Sequence, residues 1–169
     1  MRLPAPAFPL ARVLALAACV VLAPRPASAQ DLPGGAQLGM SAQALQQALP
    51  LRPVQRPARL AGGLVGRWSA PAFNLAGVAI TPTYFLADGQ LERVEYLADP
   101  ASGAQAFDAL RAWGRAAWGP ELASQSPEGA YAAWSSDETD AYLQRTGTAD
   151  APVVRLVIKR RVVKDAGEL

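Results

Sequence analysis

The chain has 169 residues, sixteen basic and fourteen acidic, with one cysteine and no histidine. Without imidazole, Ser-His-Asp triads, histidine zinc sites and the commonest general base are all excluded. Apolar residues make up 51% of the chain, enough to build one domain with a real core.

The first 29 residues read as an export leader. Arg2 and Arg12 supply a positive start, Val13 to Ala23 an apolar run too short to span a bilayer comfortably, and Ala27-Ser28-Ala29 a small-x-small cleavage site. Cleavage after Ala29 predicts a periplasmic or secreted protein that begins at Gln30 and has no thiol. Leu16-Ala17-Ala18-Cys19 offers an alternative, an outer-membrane lipoprotein anchored through Cys19. Against it, Val20-Val21-Leu22 extend the apolar run past the cysteine. The mature chain would carry thirteen basic and fourteen acidic residues, which gives no argument for nucleic acid as a partner.

Residues 30–39, with Pro33-Gly34-Gly35, read as a flexible lead-in to a single domain spanning 40–163. Ser41 caps a short helix in which Met40 can staple to Leu45; Leu45, Ala48 and Leu49 form its apolar side and Pro50 stops it. Pro50 to Gly63 has no period and interleaves prolines with Arg52, Arg56 and Arg59, which predicts an extended connection. Strands are predicted over Leu64–Trp68 and Phe73–Ile80, with Gly62-Gly63-Leu64-Val65-Gly66 beginning as a bend rather than a phosphate loop.

Asp88-Gly89 marks a hairpin between Val78–Leu86 and Gln90–Tyr96. A two-residue turn would split the apolar set between the two faces. A three-residue loop with a bulge at Gly89 pairs Leu86 with Gln90, Tyr84 with Glu92 and Ile80 with Tyr96. It gathers Val78, Ile80, Tyr84, Leu86, Val94 and Tyr96 on one face and sets Phe85 opposite Leu91 on the other. The three-residue loop is therefore the predicted register.

Asp99-Pro100 starts a helix running to Trp118, with Phe107, Leu110, Trp113, Gly114 and Ala117 on its apolar stripe and Gly119-Pro120 ending it. Ser124 to Gly129 reads as polar turn. Tyr131–Trp134 and Thr139–Arg145 form a second hairpin, Pro152–Val163 a last strand, and residues 164–169 a frayed tail. The order α-β-β-β-α-β-β-β predicts an α+β fold with helices packed on an antiparallel sheet; a duplication of two α-β-β-β units is left open.

Leu38-Gly39-Met40-Ser41 with the helix up to Pro50, and the hairpin Phe85-Leu86-Ala87-Asp88-Gly89-Gln90-Leu91-Glu92-Arg93-Val94, resemble the SmpA/OmlA-like small envelope proteins and β-lactamase-inhibitor-like domains. Trp118-Gly119-Pro120 and Tyr131-Ala132-Ala133-Trp134 resemble the matching parts of a second unit. The resemblance implies a periplasmic α+β binding module and supplies no catalytic residues.

Candidate contacts follow from residue chemistry. Arg52, Arg56 and Arg59 suit phosphate or carboxylate groups, and Trp118, at a helix end, is expected at the surface. Asp137, Glu138 and Asp140 lack the glycine turn and closing glutamate of a calcium loop, so no metal site is expected. Glu92 and Glu95, on opposite faces of one strand, make a poor acid pair for a hydrolase. The expected function is a non-catalytic exported interaction domain without cofactor. Its partner would be an envelope protein or an anionic envelope component, with membrane contact through Cys19 only if that residue is lipidated.

Overall fold

A computed structural model describes residues 32–126, 129–148 and 150–161. The proposed leader, Cys19 and the proposed tail lie outside them. Helix α1 (Ala42–Ala48) is followed by strands β1 (Arg52–Pro53), β2 (Val65–Ser69), β3 (Phe73–Leu75), β4 (Val78–Ala87) and β5 (Gln90–Ala98). After a 3-10 turn at Pro100–Ser102 come α2 (Gln105–Trp118), β6 (Leu122–Ser126), β7 (Gly129–Ser135), β8 (Thr139–Gly147) and β9 (Pro152–Arg160). The strands form one open antiparallel sheet in the order β1-β2-β4-β5-β9-β8-β7-β6, with β3 pairing to β4. The α+β class is thus as expected.

Alternation along the strands explains which face is covered. Ile80, Tyr84 and Leu86 on β4, Val94 and Tyr96 on β5, Val154, Leu156 and Ile158 on β9, and Trp134 on β7 are buried together with Leu45 of α1 and Phe107 and Leu110 of α2. Each large side chain of this kind contributes about 1.5–3 kcal/mol on burial. α2 comes close because Gly114 has no side chain: a Cβ there would lie 2.7 Å from the indole ring of Trp134.

The central hairpin corrects the expected register. Asp88 and Gly89 both have positive φ, 49° and 79°, which gives a two-residue type I′ turn with Ala87 opposite Gln90 and Leu86 opposite Leu91. The faces still agree because a bulge follows inside the strand. Phe85 pairs with Arg93, so Glu92 is the extra residue, and Tyr84 then faces Val94. Turn chemistry fixed the loop and core packing placed the bulge. Leu91, expected opposite Phe85, is instead fully buried in the core. Its freed backbone accepts from Gly39 N at 2.7 Å and donates to Met40 O at 2.9 Å, docking the chain that enters α1.

Other differences have local causes. The segment expected as a flexible lead-in is part of the core from Leu32 onward: Leu32 and Ala36 are buried, and the Tyr96 hydroxyl donates to Pro33 O at 2.9 Å. Phe73–Ile80 is two strands, because Ala76 and Gly77 turn at positive φ while Asn74 Oδ1 accepts from Gly77 N. Asp99 caps the 3-10 turn, and Gly103 at φ 62° separates that turn from α2. Ser124–Ser126, read as turn, belongs to β6. Ala48 and Ala117, assigned to apolar stripes, are exposed. On β9, Val157 is covered but Val153 is not.

Candidate binding surface

Both helices lie on one side, so the register defines an open face. Across it run Gly66, Phe85, Arg93, Lys159, Asp140 and Ser135 in one row, and Thr83, Glu95, Val157, Tyr142, Ala133 and Leu122 in the next. Gly66 has a steric role: a Cβ there would sit 2.9 Å from the Phe85 ring, so glycine lets that ring lie across β2.

Arg93 organises the centre. Its Nε donates to Glu95 Oε1 at 3.0 Å, its Nη2 donates to the Tyr142 hydroxyl at 2.9 Å, and its guanidinium lies 5.7 Å from the Phe85 ring centre and 5.8 Å from that of Tyr142. The Arg93 and Glu95 side chains are only 15% and 17% exposed, so the pair is partly desolvated and held by several hydrogen bonds rather than one. Arg155 adds a longer contact to Glu95 at 3.8 Å, and Tyr131 stacks on Tyr142 at 6.0 Å. Burial, then the neighbouring Tyr142 and Asp140, push the Tyr131 phenol up from its usual pKa.

Exposed apolar groups lie beside this polar centre, toward the Leu97 end of β5. Among the described residues five large apolar side chains are exposed, and four of them, Leu97, Leu122, Tyr131 and Val153, project from the open face. Leu122 is 82% exposed. The fifth, Leu60, lies beyond the β2 edge.

The residues singled out in the sequence fall elsewhere, at two separate places. Arg52, Arg56 and Arg59 are exposed along the β1–β2 edge, joined there by Arg67. Trp118 is only partly exposed. It packs edge-on against Trp113, with ring centres 4.9 Å apart, and at 5.4 Å from Trp134, whose Nε1 donates to Gly119 O. Beside it is a cleft of about 240 Å³ lined by Ala117, Trp118, Trp134, Ser135, Ser136, Thr139 and Ala141. β2 and β7 are five strand spacings apart, about 24 Å, so arginines and tryptophan do not form one site.

The candidate carboxylates are also dispersed. Glu92, the bulge residue, pairs with Arg160 at 3.3 Å, whereas Glu95 pairs with Arg93. Asp140 accepts from Ser135 Oγ at 2.6 Å and lies 3.8 Å from Lys159. Among the described residues no three acidic, thiol or imidazole groups are arranged to hold a metal, and no helix is long and apolar enough to cross a membrane. What sequence reasoning missed is the Phe85, Arg93, Glu95, Tyr142 and Tyr131 set. Its signal was the outward half of each alternating strand: the expected hairpin already set Phe85, Arg93 and Glu95 on one side, and only the β5–β9–β8 pairing brings Tyr142 to them. Compared with known protein families, curated proteins and solved structures, the chain shows no match.

Proposed function

We propose that this is an exported, non-catalytic binding domain that offers the open face of its sheet to a protein of the cell envelope. One observation carries the reading: among the described residues, four of the five large exposed apolar side chains lie on the uncovered face, beside a hydrogen-bonded Arg93–Glu95–Tyr142 centre. Apolar groups are normally scattered singly over a soluble surface, and tyrosine and arginine are enriched where proteins meet. The absence of histidine, the leader-like first 29 residues and the resemblance to small envelope domains support the same reading.

Strand order supports a finer one, two like units. Each is a helix followed by a run of strands, and the sheet order reads outward in mirror fashion from the central β5–β9 pair. The open face then spans both units, with Arg93 from the first touching Tyr142 from the second.

A photo-crosslinker placed at position 131 on the open face, and in a control chain at Ala104 on the helix side, tests the proposal in envelope extract. A defined product from position 131 that is lost with Leu97→Ser and Val153→Ser supports it. Equal products from both positions, or turnover of a substrate by the purified chain, would refute it.

A further inference from the structure

We propose that the β1–β2 edge is a docking surface for an anionic lipid bilayer, separate from the open face. The first observation is charge segregation. Between Leu32 and Ala87 there is no acidic residue and there are four arginines, whereas Asp88 to Arg161 carry eleven acids against eight bases.

The second observation is that, among the described residues, the side chains of these four cations alone lack partners. Among the described residues, Arg93, Arg111, Arg115, Arg155, Lys159 and Arg160 are ion-paired, Arg145 lies over the Phe107 ring and Arg161 donates to Ser136 O. Arg52, Arg56, Arg59 and Arg67 have no ion pair among the described residues, and all four are exposed.

Geometry decides between a pocket and a plane. Arg52 is opposite Ser69 and belongs to the open side, whereas Arg59 is opposite Val65 and belongs to the helix side. Arg67 is the extra residue of a bulge in β2. Arg56 lies where the chain leaves the sheet, between Val54 N bonded to Arg67 O and Ala58 O bonded to Gly66 N. Guanidiniums distributed in this way around an edge do not converge on one phosphate. They suit an extended array of anions.

The third observation selects lipid over a soluble polyanion. Beyond the arginines the edge ends in an uncharged turn, Leu60-Ala61-Gly62-Gly63-Leu64, closed by Leu60 N donating to Leu64 O at 2.9 Å. The space around Gly62 and Gly63 is empty, and Leu60 is 38% exposed. An apolar tip between cations matches the boundary between headgroups and acyl chains and has no counterpart in a dissolved polyanion.

Co-sedimentation of the full chain with phosphatidylcholine vesicles, with and without phosphatidylserine, tests this through the anionic-to-neutral partition ratio. Any contribution of residues 1–29 is the same in every variant and cancels when the ratios are compared. Changing all four arginines to Ala should lower the ratio by about fivefold per guanidinium, and the corresponding four Lys changes should restore it. Salt should weaken the wild-type preference, and Leu60→Ser should reduce binding to anionic vesicles. An unchanged ratio in the Ala variant, or failure of the Lys variant to restore it, would overturn the proposal. Tight binding of polyglutamate that Leu60→Ser leaves unaffected would assign the edge to an acidic protein instead, and would overturn it equally.

Discussion

Gly114 offers a substitution whose usual effect should be reversed here. Glycine inside a helix normally costs about 1 kcal/mol relative to alanine, so Gly114→Ala in an unencumbered α2 would stabilise the fold. In this structure a Cβ would stand 2.7 Å from two atoms of the Trp134 indole. That ring cannot slide away easily: its Nε1 donates to Gly119 O at 3.0 Å, and Trp118 packs at 5.4 Å. Overpacking of this kind costs about 1–3 kcal/mol. Set against the helix gain, the expected net is a loss of about 1 kcal/mol, a fall in melting temperature of roughly 3 °C for a domain of this size. Thermal unfolding by circular dichroism measures it. Trp134→Leu removes the clash, so adding Gly114→Ala to that variant should raise the melting temperature instead. A rise with Gly114→Ala in the wild-type background would refute the close packing of α2 on β7.

Tyr84 is raised by burial to about 12, and Tyr96 is raised further by burial and by the charge of Tyr84. A phenol raised above its usual value of 10.0 leaves stability intact below that pH and removes it as pH climbs toward the folded value, so alkaline unfolding should begin above pH 10. Ultraviolet titration should show Tyr84 and Tyr96 ionising only as the protein unfolds. Ionisation of Tyr84 or Tyr96 ahead of unfolding would contradict their burial. At the acid end, hydrogen bonding and then charge from Arg115 hold Glu121 at about 2, below its usual 4.5. Its contribution is therefore present above pH 4.5 and lost as pH falls toward 2, and Glu121→Gln should flatten the melting temperature over that window. Gly89→Ala, which must hold φ at 79°, should lower stability by about 1 kcal/mol in urea unfolding, whereas Gln90→Ala beside it should have little effect.

Much of the fold was legible because its signals were local. Ser41 accepts from Ala44 N as an N-cap, Gly119 ends α2, and the alternation of Val154, Leu156 and Ile158 named the buried face of β9. Elements that depended on distant partners were harder to read. The position of the hairpin bulge was set by core packing, which turns Leu91 inward, and β6 exists because β7 provides an edge for it. The arginines were visible as residues. Their lack of side-chain partners was not, since that emerges only when every other cation among the described residues is seen engaged. The open face was the least legible part, because Arg93 meets Tyr142 across 49 positions of sequence through the central β5–β9 junction.

The most direct test of the central claim is solvent protection of the open face during binding. With a crosslinked envelope partner added to the full chain, hydrogen exchange and carboxyl footprinting should show protection at β9, β8 and β7, together with reduced labelling of Glu95, while the helix α2 surface stays unchanged. Protection confined to α2, or none on the sheet, would contradict the account.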